Sequence, residues 1–214
     1  MNDPAFGHKV KEFIASNWDE SLLTPYYKSR VALNTSSIFI PKLDAADGPK
    51  AFGVEREVEP NRYLIWYRVT ASPPQDGTYH FVGGADDIIV VRVDGKTVFD
   101  GSLDAMWSER SKETTYPLKT GMGSFGVLSV GVPFHASAGK PMKIDVLIGE
   151  WPGGISSYFL LIEKEKHTYE KQSNGAPLLP IFQLNSDPLT PKGLFPPFSP
   201  TPEPWEGTVD NLTQ

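Results

Sequence analysis

The spacing of hydrophobic and polar positions changes along the chain. Near the start, Phe6, Val10, Phe13 and Ile14 recur at helical spacing on a polar background. Asp3 stands where an N-cap belongs and Pro4 at the first helical position. This predicts a short amphipathic helix ending at Asn17, and a helix so short holds only by packing its apolar stripe on something else. Between residues 21 and 53 the pattern is mixed. Tyr26-Tyr27 and residues 37–41 read as short strands, and residues 44–49 as a loop. From residue 62 the signal is β. Residues 62–69, 78–82, 88–93, 96–99, 125–132, 143–148 and 158–163 are rich in β-branched and aromatic side chains. Turn chemistry separates them, most clearly Asp94-Gly95 between two of the runs. Seven or more short strands with one helix predict an all-β, antiparallel β-sandwich. Its core is expected from Tyr63, Ile65, Tyr79, Phe81, Val91, Val93, Ile144, Val146, Phe159 and Leu161, which share faces at i, i+2 spacing.

Toward the end the composition shifts. Nine of the 20 prolines lie between Pro177 and Pro204, and such a segment runs extended rather than laddering in a sheet. It also carries Leu178, Leu179, Ile181, Phe182, Leu184, Phe195, Phe198 and Trp205. That is too much apolar surface for a solvated linker, so the segment is expected to lie on the sandwich. The chain therefore divides into an N-terminal helix (1–20), a β-sandwich domain (21–170) and a Pro-rich C-terminal extension (171–214).

A length of 214 residues suits one sizeable β domain, and the absence of cysteine removes disulfides, thiolate zinc sites and cysteine nucleophiles. Lys plus Arg is 20 against 26 Asp plus Glu, a formal charge of −6. An acidic chain without a basic block argues against nucleic acid and anionic lipid as partners. Membrane insertion is not expected, since no apolar run reaches the roughly 18 residues a span requires. Nor does the Asn2-Asp3-Pro4 start read as a signal peptide.

Catalytic signatures do not survive inspection. Gly121, Gly123 and Gly126 fit G-x-G-x-x-G, but the strand-like residues 127–130 follow where a phosphate loop needs a helix. His8, His80, His135 and His167 stand apart, without metal-ligand spacing. No enzyme is expected. Asp86-Asp87 is more informative, because it follows Gly83-Gly84-Ala85 between two β-runs. Neighbours in a regular strand point to opposite faces, so both carboxylates meet one ion only where the backbone departs from that geometry. Two readings stand open: a polar turn with one carboxylate capping an amide, or a joint cation site.

Residues 73–81, then Ala85-Asp86-Asp87, then residues 91–100 with their Asp94-Gly95-Lys96 turn, resemble the protective-antigen-type β-sandwich domain of anthrax toxin, flocculins and adhesins. Residues 134–146 and 158–163 are similar to its later strands, and the chain also resembles exported proteins of Planctomycetes and Verrucomicrobia type. The resemblance implies that Asp86 and Asp87 are joined by a cis peptide and bind calcium, with sugar hydroxyls completing the coordination. It also implies that a late loop, residues 149–157, faces the pair. That loop carries Glu150, Trp151, Ser156 and Ser157 as ligand-binding candidates and no Asn or Asp. Trp151 reads either as a sugar-stacking platform or as a ring packed under the C-terminal extension, and Trp107 in its own loop is weighed the same way. The function implied is a non-enzymatic carbohydrate-binding or adhesion-type module, exported to the cell surface, whose partner is a glycan or a cell-surface protein. The alternative is a structural or assembly module that binds protein through its helix, extension or sheet edges.

Overall fold

The apolar stripe of Phe6, Val10 and Phe13 becomes the packed face of helix α1 (Pro4–Ala15) in the computed structural model, which describes residues 4–103, 115–117, 127–151, 153–185, 192 and 195–209. Asn17 and Trp18 adopt φ of 60° and 62° and end the helix as expected. A 3-10 turn at Glu20–Leu23 follows, capped by the Asp19 carboxylate. Tyr26 and Tyr27 form no strand: they stand 48% and 54% exposed in an irregular stretch. β propensity without a partner strand makes no ladder. Then come β1 (Phe39–Asp44) and α2 (Asp47–Ala51), a short helix where residues 44–49 were expected to be a loop, with Asp44 Oδ1 accepting the Ala46 amide just before it.

The remaining strands are β2 (Tyr63–Ser72), β3 (Gly77–Asp86), β4 (Ile88–Val93), β5 (Lys96–Asp100), β6 (Thr115–Pro117), β7 (Val127–Val130), β8 (Phe134–Ala136), β9 (Met142–Glu150), β10 (Ile155–Lys164) and β11 (Glu206–Val209). The named pairings are antiparallel. One sheet runs β1-β10-β3-β7-β6, with β8 also on β3, and the other β11-β2-β9-β4-β5. The all-β sandwich is therefore present. Asp94 and Gly95, at φ of 47° and 79°, make the tight β4–β5 turn. Trp107 and residues 121–126 lie outside the described residues.

The central core holds Phe81, Val91, Val93, Ile144 and Val146 from opposite sheets, with Tyr79 and partly buried Ile65 packed against them. Phe159 and Leu161 are buried and share a face as expected, but that face is the outer one, with Val82, while Tyr158, Leu160 and Ile162 point into the sandwich. Both choices are apolar because both faces of β10 are buried: Leu179 and Ile181 of the C-terminal extension cover the outer one, flanked by Phe195 and Phe198. Beyond the proline-rich stretch, Trp205 enters the central core and β11 ladders onto β2. On the other sheet, α1 and Trp18 cover Ile88, Val90 and Leu147. Arg92 bridges this layer, lying 4.3 Å over the Trp18 ring and bonding to Asp145, which also accepts the Trp66 indole at 2.8 Å.

Candidate functional site

Topology explains why adjacent aspartates converge on a corner. β3 ends at Asp86 in one sheet and β4 starts at Ile88 in the other, so Asp87 is the crossing residue. The chain crosses again at the same end, from β9, which ends at Glu150, to β10, which starts at Ile155. Register ties the two crossings together: Ser157 lies opposite Asp86, and Ile88 opposite Gly149. The Asp86–Asp87 peptide is cis. Gly83 and Gly84 are ladder residues of β3, paired with Leu160 and Phe159. Gly83 is needed there because a Cβ would strike the Phe159 carbonyl.

Asp87 is 4% exposed and Glu150 fully buried, while Asp86 is half-buried. Asp87 Oδ2 accepts the Trp151 amide at 2.8 Å, so the early crossing holds the start of the late one. Glu150 Oε2 accepts the Ser156 hydroxyl at 2.7 Å, and Ser156 Oγ meets the Tyr63 hydroxyl at 3.2 Å. Glu150 Oε1 is buried and makes no hydrogen bond of good geometry. Gly153 closes over it: a Cβ on Gly153 would collide with Glu150 Oε1 and lie 3.7 Å from Asp87 Oδ2.

The electrostatics follow from burial. Desolvation pushes the Asp87 carboxyl up to about 8, and the charges of Glu150 and Asp86 push in the same direction. Burial likewise raises Glu150, with Asp86 adding to the shift. Cations are absent from the leading influences on either acid. The Tyr63 and Tyr158 hydroxyls, 3.4 Å apart, are also raised by burial.

Of the sequence candidates, Asp86, Asp87, Glu150, Ser156 and Ser157 are brought to one corner. Trp151 is half-buried with its ring against Gly7 of α1, so it packs under the helix and not under the C-terminal extension. The Tyr63 and Tyr158 hydroxyls also belong to this corner, although their positions carry only a core signal in the sequence.

The donor set fits a hard cation in chemistry: carboxylates, one of them with an unpartnered buried oxygen, plus hydroxyls and main chain. Among the described residues no three His, Cys, Asp or Glu side chains are grouped so that they could hold a metal ion together. An ion here would draw further oxygens from the main chain, hydroxyls, water or a bound sugar.

No protein-family model matches the chain, and no curated protein matches it. Two solved structures are similar in architecture. One is a PA14 sugar-binding domain from an RTX adhesin, 18% identical, with 63% of this chain and 71% of that chain covered at a TM-score of 0.38. The other is the PA14 domain of the MpAFP antifreeze protein, 17% identical over 63% of this chain and 66% of that one, with a TM-score of 0.39. Likeness at this level transfers no residue roles.

Proposed function

We propose that this chain is a non-enzymatic carbohydrate-binding or adhesion-type module, with a calcium site built on the Asp86 and Asp87 carboxylates at the crossover end of the sandwich, beside the buried Glu150. The observation that carries the reading is a pair of buried acids side by side, Asp87 and Glu150, both raised chiefly by loss of water and further by the charge of Asp86. A buried charge is normally paired or bound to a metal. Calcium would neutralise the acids and leave coordination positions for vicinal sugar hydroxyls. Ser156 holds the Glu150 carboxylate in place, and Asp87 anchors the late loop through the Trp151 amide. Such a site suits calcium-rich surroundings, and a position at the cell surface or outside the cell would supply them.

The test is calcium titration of chelator-treated protein, followed by calorimetry and thermal denaturation, then a glycan panel with and without the ion. Calcium should bind in preference to magnesium and raise the thermal midpoint. Asp86→Ala and Glu150→Gln should each remove both effects, and glycan binding should vanish with chelator. An unchanged midpoint with no calcium heat would overturn the reading.

A further inference from the structure

Beside the acid corner opens a depression of about 410 Å³, lined by Lys42, Leu43 and Asp44 of β1 and by Gly154 and Ile155. Register fixes where it lies. Asp44 pairs with Ile155 and Leu43 with Ser156, while Ser157 pairs with Asp86, so β1, β10 and β3 run side by side. Two strand spacings separate β1 from the aspartate pair, roughly 10 Å. The depression and the acid corner share one loop. Gly153 closes over Glu150, and its neighbour Gly154 lines the depression, where its carbonyl accepts the Ala45 amide at 3.1 Å. No heavy atom stands within 4 Å of a Cβ placed on Gly154, so the space above it is open.

The lining is mixed in a way that suits a pyranose. Ile155, 40% exposed and on the same face as Asp44, offers an apolar surface for the C–H face of a ring. Lys42 is exposed on the rim and supplies donors, while Asp44 supplies acceptor oxygens, one already used on Ala46. An apolar surface with a few placed polar groups is the usual composition of a small-ligand site.

We infer that this depression is a second sugar subsite, so that the module takes an oligosaccharide running from the acid corner across β10 to β1 rather than a single terminal sugar. The inference rests on the carbohydrate reading above. It is tested by calorimetry in calcium with glucose, galactose and mannose, each as mono-, di- and trisaccharide. In at least one series the trisaccharide should bind about ten-fold or more tightly than the monosaccharide, beyond the statistical gain of repeated units. Gly154→Val, which fills the depression, and Lys42→Ala, which removes its donor, should each abolish that gain. Monosaccharide affinity and the calcium-induced rise in thermal midpoint should stay unchanged in both variants. A wild-type protein that binds the monosaccharide with no gain for longer chains overturns the subsite alone. So does a gain that survives both variants. Absence of binding in every series overturns the subsite together with the carbohydrate reading.

Discussion

Asp87 and Glu150 sit in the same corner, and for both the largest influence on ionisation is loss of water. A carboxyl raised in the folded state binds its proton more tightly there than in the unfolded chain, whose carboxylates titrate near 4. The protonated fold is therefore favoured. For metal-free protein, stability should fall as pH rises from about 4 toward about 8, the range set by the Asp87 shift, by up to about 1.4 kcal/mol per pH unit for each group titrating. Calcium favours the ionised acids and should flatten or reverse this slope. Glu150→Gln keeps an acceptor for Ser156 while removing a buried charge, so it should raise the metal-free thermal midpoint at pH 8 and abolish the calcium response. Denaturant melts at pH 5 and pH 8, with and without calcium, check both signs. At this scale the aspartates were legible because two adjacent acids after Gly83-Gly84-Ala85 break an apolar pattern. Glu150 entered through the resemblance, and the hydroxyl network was not legible, because a tyrosine in a β-run reads as core whether or not its oxygen meets a partner.

At the scale of elements, β-branched runs mark the strands, but they do not decide facing wherever both sides of a strand are covered. β4 is buried at all six positions, and β10 is apolar from Tyr158 through Ile162. Alternation carries no information once both faces are apolar, so Phe159 and Leu161 could not be distinguished from Leu160 and Ile162. The helix was legible from its stripe, but its docking site was not, since nothing in sequence links Gly7 to Trp151. That contact gives a sharp test. A Cβ at Gly7 would stand 2.5 Å from Trp151 Cη2 and 2.8 Å from two neighbouring ring atoms. Alanine in a helix gains about 1 kcal/mol over glycine, while forcing a methyl against a packed, rigid ring costs typically about 1–3 kcal/mol. Overpacking should dominate, so Gly7→Ala should lower unfolding free energy in a urea titration. A gain in stability would show that α1 does not rest on the indole.

In the whole molecule the sandwich is the middle of four layers: α1, two sheets, and the C-terminal extension. The outer layers differ in what they touch. α1 and Trp18 cover one outer face, on Ile88, Val90 and Leu147, and leave the central core alone. The extension covers the opposite face through Leu179 and Ile181, but also sends Phe182, Leu184 and Trp205 into the central core. There Trp205 meets Tyr79 and Phe182 edge-on at 5.2 and 5.5 Å. The sequence located this apolar extension without revealing that it enters between the sheets, because proline-rich composition reports backbone shape and not destination. The two ends should accordingly behave differently when removed. Deleting residues 1–18 should lower the thermal midpoint and expose an apolar face to hydrophobic dye, yet preserve the near-ultraviolet dichroism of a packed core. Truncation after Lys171 should abolish that dichroism or the soluble protein altogether, and Trp205→Ala alone should cost about 3–5 kcal/mol in the full chain. A truncated protein that melts at the wild-type temperature would show that the extension is not part of the core.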